Sequence, residues 1–444
     1  MKHPRFVSPE FFLRQLRAQE AVAQFMFAWE REGGGVYSFS VPIPLGGATD
    51  PAVVRFCERC VKFVLWAAGG WKLYLSGPQE ICNAIAAAYS MKGERHFDLE
   101  FIEIVYGRPL EIVRCGPDAI PQTRDTEHRV ETAMTGCRIG FDLGASDFKI
   151  SAVQDGAVTF SEEFPWDPKN AVDPEYHFSL LNEGLKKAAA TLPRVDSIGG
   201  STAGVVVANR LKTASLFRSI PQEKKSDAEN IFLRLEEAWR VPVEVANDGD
   251  VTALSAYLSS GLTGVLGVAM GSSQAGGFLD RTGALTGRLN ELAFCPVDFA
   301  CNAPADEWSG DTGVGAMYFS QQAVNRLIQH YELNIPPTLS LPEKLVEVQN
   351  RMKATPNAIL PIYETIGEHL GHSAVWYREF YDYEHLLVLG RVTTGQGGDV
   401  ILETARRVIQ KDFPDRVDAI KLSMPDEKNK RLGQAVAAAA LVRK

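Results

Sequence analysis

The chain has 444 residues, room for about three domains at roughly 150 residues each. With 45% hydrophobic and 23% charged residues it can bury sizeable cores, which excludes a globally disordered chain. A net charge of −9 argues against a general electrostatic grip on nucleic acid, and no run of about 18 apolar residues marks a membrane span. Seven cysteines, odd in number and scattered, point to a reducing compartment rather than a disulfide scaffold. The opening MKHPRFVSPEFF lacks the apolar stretch of a signal peptide, so a soluble, cytoplasmic protein is expected.

Along the chain, 9–31 reads as a helix with Phe12, Leu13 and Leu16 on one face. VYSFSVPI (36–43), KLYLSG (72–77) and FIEIVYG (101–107) have strand character, and AVVRFCERCVKFVLWAA and QEICNAIAAAYSMKG between them look helical. Residues 1–115 therefore read as a small α/β domain. The polar stretch 116–136, with Pro117 and Pro121, reads as a linker. CRIGFDLGASDFKISAVQDGAVTFSEEF follows as a strand meander, then a helix at 176–191, the strand SIGGSTAGVVV, a helix at 222–239, the strand PVEVA and a helix at 250–260. GVLGVAMGSSQAGGFLD predicts two strands around a glycine-rich hairpin. Residues 312–381 are mainly helical, and HLLVLGR, a helix at 398–411, AIKLSM and a helix at 428–443 close the chain. Strand, glycine turn and strand with an Asp occur at both 139–153 and 264–280, which points to a duplicated, two-lobed architecture.

Three turns join a strand to a loop that suits phosphate chemistry. Asp142 ends a strand before Gly144-Ala145-Ser146, where small residues let amides approach a phosphate and a carboxylate can hold Mg²⁺ through water. Gly271-Ser272-Ser273 opens a second loop with exposed amides and two hydroxyls. Asn247-Asp248 follows PVEVA and precedes a helix, a place where a carboxylate can take a proton from a substrate hydroxyl. Each turn also has an ordinary reading, as a hairpin turn or a helix cap.

Taken in order, these segments resemble the acetate and sugar kinase, heat-shock chaperone and actin superfamily, and within it the ROK sugar kinases, glucokinases and sugar-responsive repressors. The resemblance covers 137–444: IGFDLGASDFKISAVQDG is similar to the first phosphate motif and VEVANDGDVTALSAY to the catalytic segment. GVAMGSSQAGGFLDRTGALTG is similar to the second phosphate motif, YEHLLVLGRV to the strand before the adenosine site, and RLGQAVAAAALV to the closing helix. The resemblance implies an α/β, two-lobed ribonuclease-H-like (actin-like ATPase) fold with an appended N-terminal α/β domain. Its lobes would span 137–250 and 251–444, with the last helix returning to the first lobe. It implies an ATP- and Mg²⁺-dependent sugar kinase acting on a hexose or N-acyl hexosamine. Asp248 would be the general base and Asn247 would hold the sugar. Asp142, Gly144, Ser146, Gly271, Ser272, Ser273 and Gly390 would serve the nucleotide and metal. A homodimer without nucleic-acid or membrane partners is the expectation.

Departures from the family pattern matter as much. Its sugar-binding Gly-Glu-Ile-Gly-His segment aligns with Asn290-Glu291-Leu292-Ala293-Phe294, so Glu291 is retained for substrate while Phe294 replaces the His. Only Cys295 and Cys301 stand where a zinc loop would follow, and no structural zinc is expected. Arg391 replaces a Gly beside the adenosine site. Ser201, Thr202 and Asn209 stand in the sugar-loop position, where they would bind substrate or satisfy a strand end. Cys57 and Cys60 read as core residues, and His369 and His372 as a partly buried helix face. Arg95, Asp98, Glu100 and Glu103 form a possible site or a solvated face. Repressors of the family carry a winged helix-turn-helix at this end, but residues 1–115 lack a compact tri-helical pattern. Two rival readings keep the fold and alter the activity, one a catalytically weak sugar or nucleotide sensor and the other a sugar-independent ATPase.

Overall fold

The computed structural model describes residues 5–126, 128–129, 134–144, 146–425 and 433–442. It divides into two compact units, one of Met1–Thr126, Gly264–Phe278 and Thr286–Met424, the other of Glu127–Thr263, Leu279–Leu285 and Pro425–Lys444. The boundaries at 115, 136 and 250 drawn from the sequence therefore differ from those of the fold. Residues 1–126 share one unit with the later chain, and the 116–136 stretch is divided between the two.

In the first unit, helix α1 (Pro9–Arg17) stops at Ala18 and strand β1 (Ala21–Glu30) begins. The single helix expected over 9–31 is thus a helix and a strand, because Phe25, Phe27 and Trp29 are buried with a period of two. Strand β2 (Val36–Pro44) pairs antiparallel with β1. Helix α2 (Pro51–Ala68) is capped by Asp50, whose carboxylate accepts the Ala52 amide at 2.8 Å. Strand β3 (Lys72–Ser76), helix α3 (Gln79–Ala88), helix α4 (His96–Tyr106) and strand β4 (Glu111–Arg114) follow, and the sheet runs β2-β1-β3-β4. Helix α4 replaces the strand expected at 101–107. Asp98, Ile102, Val105 and Tyr106 are buried at helical spacing, which overrides the β-branched run FIEIV.

The second unit opens with strand β5 (His128–Arg129), then β6 (Cys137–Leu143), β7 (Asp147–Gln154) and β8 (Ala157–Pro165) as the expected meander. Helix α5 (Pro174–Ala189) leads to β9 (Ser197–Thr202), and Gly204 turns the chain into β10 (Val205–Val207) and β11 (Arg210–Thr213). The helix expected at 222–239 is broken at Asn230 into α6 (Lys225–Glu229) and α7 (Ile231–Trp239). The Asn230 side chain is drawn off to Arg210 and to the Ser226 carbonyl. Strand β12 (Val243–Asn247) and helix α8 (Asp248–Ser260) complete a five-stranded sheet in the order β12-β9-β6-β7-β8. Its core packs Ile139, Phe141, Ile150, Ile198 and Val243 under Leu181, Leu185, Phe232 and Leu235.

Strands β13 (Val265–Met270) and β14 (Gln274–Leu279) return the chain to the first unit, and β15 (Ala284–Leu285) pairs with β5 in the second. Helices α9 (Gln321–His330), α10 (Leu341–Ala354) and α11 (Pro356–Tyr377) form the helical stretch. Strand β16 (His385–Leu389) lies parallel to β13, and helix α12 (Gln396–Asp412) and strand β17 (Lys421–Ser423) follow. Helix α13 (Gln434–Ala438) belongs to the second unit; the rest of the helix expected at 428–443 lies partly outside the described residues. It presses directly on the sheet at Gly140 and Gly199, where a methyl group would overlap the carbonyl oxygens of Ala435 and Ala438. No helix among the described residues is long and apolar enough to cross a membrane.

Helix α2 is buried without a break from Phe56 to Ala68, so Glu58, Arg59 and Lys62 must find partners inside the protein. Lys62 meets Asp98 at 2.7 Å, Arg95 meets Glu58 at 2.5 Å, and Asp311 lies within 3.2 Å of Arg59, Lys62 and Arg95. Burial alone would raise the Asp311 pKa, but these three cations outweigh it and hold the carboxyl far below the usual range. Arg95 and Asp98, a possible site from the sequence, are thus structural. Asp311→Asn is expected to cost about 3–5 kcal/mol by chemical denaturation at pH 7. Because the folded pKa is depressed, the stability from Asp311 is present above the unfolded carboxyl pKa of about 4 and fades as pH falls below it.

Candidate functional site

In the second unit, β6, β9 and β12 run parallel and in register. Leu143 pairs with Thr202 and Thr202 with Asn247, which sets Asp142, Ser201 and Ala246 one step behind at the same level. The chain therefore ends three strands along one edge, the place where open α/β sheets bind ligands. Asp142 is the one residue of β6 that is not buried. Burial raises its pKa and Asp147 adds to that, while the Ser201 hydroxyl and the charge of Lys149 oppose it. Asp248 begins α8 and keeps part of its surface open, yet it lies deep in the packed strand ends. Burial and the like charge of Asp142 raise its pKa to about 6, against the pull of the Gly249 amide.

The neighbours of Asp248 are occupied. Asn247 donates to the Gly204 carbonyl at 2.8 Å and accepts the Gly249 amide at 2.8 Å, so it caps α8 and ties down the 203–204 turn. Asn209 donates to the Val243 carbonyl at 2.7 Å and accepts the Val245 amide at 2.9 Å. Both ends of the Asn209 amide thus serve the strand end. Ser201 and Thr202 are fully buried, and the Thr202 hydroxyl donates to the Ala203 carbonyl at 3.3 Å. At the first turn the Gly144 amide donates to the Asp147 carbonyl at 2.9 Å, and Trp166 clamps it through the Gly144 and Ser146 carbonyls. The exposed Ser146 hydroxyl donates to Asp147 at 2.9 Å; Ala145 lies outside the described residues.

In the first unit, Gly271, Ser272 and Ser273 link β13 to β14. The Gly271 amide donates to the Ser273 carbonyl at 2.9 Å, and its carbonyl accepts the Gln321 amide at the start of α9 at 2.9 Å. Both serines are exposed. Gly390, at φ +104, lies flat on the backbone of Met270, where a Cβ would come within 2.5 Å of the Met270 oxygen. Two of the predicted nucleotide elements thus meet at the ends of neighbouring strands. The Arg391 side chain is exposed, and its carbonyl accepts from Gln349 at 2.8 Å.

The 289–291 segment is held by the last turn of α2: the Leu289, Asn290 and Glu291 amides donate to the Ala68, Ala67 and Trp66 carbonyls at 3.3, 2.9 and 3.0 Å. Phe294 is buried against Trp66, Phe97 and Trp308, at ring separations of 4.3, 5.4 and 5.6 Å. Cys295 is fully buried, its thiol pKa pushed up by burial, while Cys301 is exposed. Cys57 and Cys60 are likewise buried in α2.

No family model and no curated protein matches the sequence. Solved structures do match the fold. A ROK hexokinase from Thermus thermophilus superposes with a TM-score of 0.54 at 18% identity, over 69% of this chain and 97% of its own. A ROK family transcriptional regulator, a homolog of the E. coli MLC protein, gives 0.54 at 17% identity over 82% and 87%. A ROK family glucokinase from Streptomyces griseus, in complex with glucose and AMPPNP, gives 0.50 at 16% over 69% and 99%. The fold is that of the ROK proteins.

On this ROK fold the predicted residues fall into two sets, Asp142, Ser201, Thr202 and Asp248 in one unit and Gly271, Ser272, Ser273, Gly390 and Glu291 in the other. Sequence reasoning missed Lys149, which faces Asp142 across the β6–β7 hairpin; the short turn between the strands was the signal for that register. It also missed Gln434, whose amide donates to the Thr252 hydroxyl at 2.7 Å and to the Asp248 carbonyl at 3.4 Å, fastening α8 to α13. Gly390→Ala, which forces a methyl into the Met270 backbone at a left-handed φ, is expected to lower stability by about 1–3 kcal/mol in chemical denaturation.

Proposed function

We propose that the protein is an ATP- and Mg²⁺-dependent kinase that phosphorylates a hydroxyl of a hexose or N-acyl hexosamine, with Asp248 as general base. The observation that carries this reading is the placement of Asp248 beside Asp142 at the ends of in-register parallel strands, where burial and that like charge raise its pKa to about 6. A base tuned toward neutral pH takes a proton from an alcohol as the oxygen attacks phosphorus and is worth about 10²–10⁴-fold in rate. Asp142, a half-exposed carboxylate at the ends of the parallel strands, fits Mg²⁺ held through water. The exposed Ser272 and Ser273 hydroxyls and the flat approach at Gly390 fit nucleotide phosphates and adenosine. Bound Mg²⁺ supplies charge neutralisation at the transferring phosphoryl group. Gly144 and Ser146 hold the first turn in shape, and Ser201 steadies Asp142. Glu291, whose segment is held by the last turn of α2, contacts the sugar. Asn247 acts by fixing the start of α8, so it positions the base rather than the substrate.

A second reading, a ROK-like sensor with weak or no turnover, draws support from two observations. The likeness to the regulator spans 82% of this chain against 69% for the hexokinase, and Phe294 stands in an aromatic cluster in place of a polar ligand. ADP release from Mg·ATP across hexoses and N-acyl hexosamines separates the readings. The kinase predicts sugar-dependent release that falls about 100-fold or more in Asp248→Asn. Sugar-independent release identifies an ATPase, and silence with thermal stabilisation by a sugar identifies the sensor. Asp248 works as a base only when ionised. The kinase therefore predicts that kcat/KM falls as pH drops through about 6, or through a lower pH once the charge on Asp142 is neutralised.

A further inference from the structure

A cavity of about 260 Å³ lies under segment 5–8 in the first unit, lined by Arg5, Asn302, Tyr318, Arg326, His330 and His369. Among the described residues its lining contains two guanidinium groups, two imidazoles and no carboxylate. Arg326 stands one turn before His330 on α9, over the Tyr318 ring at 5.2 Å. Its Nε donates to the Met317 carbonyl at 3.4 Å, and its buried Nη2 has no hydrogen-bond partner. The neighbouring acid, Asp298, is already engaged. Its Oδ1 accepts the Val7 and Ala300 amides at 2.9 and 2.8 Å, and its Oδ2 accepts the Tyr318 hydroxyl at 2.5 Å.

Segment 5–8 is fixed over this space. Val7 bonds to Asp298, the Phe299 amide donates to the Val7 carbonyl at 2.9 Å, and Phe6 stacks on His369 at 4.6 Å. Arg5 is thereby kept at the cavity mouth. A guanidinium with a buried, unused donor calls for an anion, and its planar fork matches phosphate oxygens. At about 30 Å³ per water, the cavity has room for a phosphate and several waters. It falls below the roughly 300–1,000 Å³ of pockets that hold larger ligands. We propose that this cavity binds a small phosphate-class oxyanion, with Arg326 and Arg5 as its counter-charges. The site is independent of the nucleotide and sugar reading above.

The test uses the full chain and inorganic phosphate as probe, against chloride at equal ionic strength. Phosphate is expected to raise Tm with concentration. By calorimetry, Arg326→Met and the exposed Arg5→Ala should each weaken its binding by about tenfold or more, while Ser272→Ala leaves it unchanged. Arg5→Ala keeps the test decisive if Arg326→Met fails to fold. No stabilisation beyond chloride overturns the proposal. So does binding that survives Arg5→Ala and is lost in Ser272→Ala, which would put the anion at the glycine turn.

Discussion

The chemistry of the second unit rests on one constraint: a carboxylate at the end of a buried parallel strand is shielded from bulk water on most sides. Register does the rest. Because β6, β9 and β12 end level, Asp248 senses the charge of Asp142, more than a hundred residues earlier in sequence. Asp142 makes Asp248 harder to ionise, and the strands that carry this edge are packed tightly against α13 at Gly140 and Gly199. That local penalty is what raises the pKa of the Asp248 carboxyl.

The first unit shows a complementary solution to burying charge. Helix α2 carries an apolar run on every face and still brings Glu58, Arg59 and Lys62 inside. Three cations and three acids, drawn from α2, α4 and the loop at Asp311, form one network. Such a network adds little net stability relative to an apolar core, but it fixes which elements meet. It joins residues 1–126 to the later chain as parts of one core rather than as two domains in contact.

Much of this was legible in the sequence. The order of the glycine turns and of Asn247-Asp248 pointed to the fold, and the strand meander, α2, α8 and β16 lie where periodicity put them. The errors have physical causes. FIEIVYG is β-branched and aromatic, yet Asp98 needs a helical turn to reach Lys62 and Trp66. At 21–30 the alternation of Phe25, Phe27 and Trp29 was a strand signal masked by the helix before it. Residue type alone did not show that Asn247 and Asn209 spend both ends of their amides on the backbone. Nor could local pattern reveal that the last turn of α2 holds 289–291, because that pairing spans more than 200 residues.

The hold of α2 on 289–291 bears on how such a chain can evolve. An accessory domain joined by a tether can be exchanged or lost by recombination, since each side keeps its own interior. Here the carbonyls of residues 66–68 satisfy the amides of the segment that bears Glu291, and Trp66 covers Phe294. A recombination breakpoint between these stretches would strip one of its hydrogen-bond partners and expose the aromatic cluster of the other. The amino-terminal third and the ROK-like remainder can therefore diverge only together, by paired substitutions.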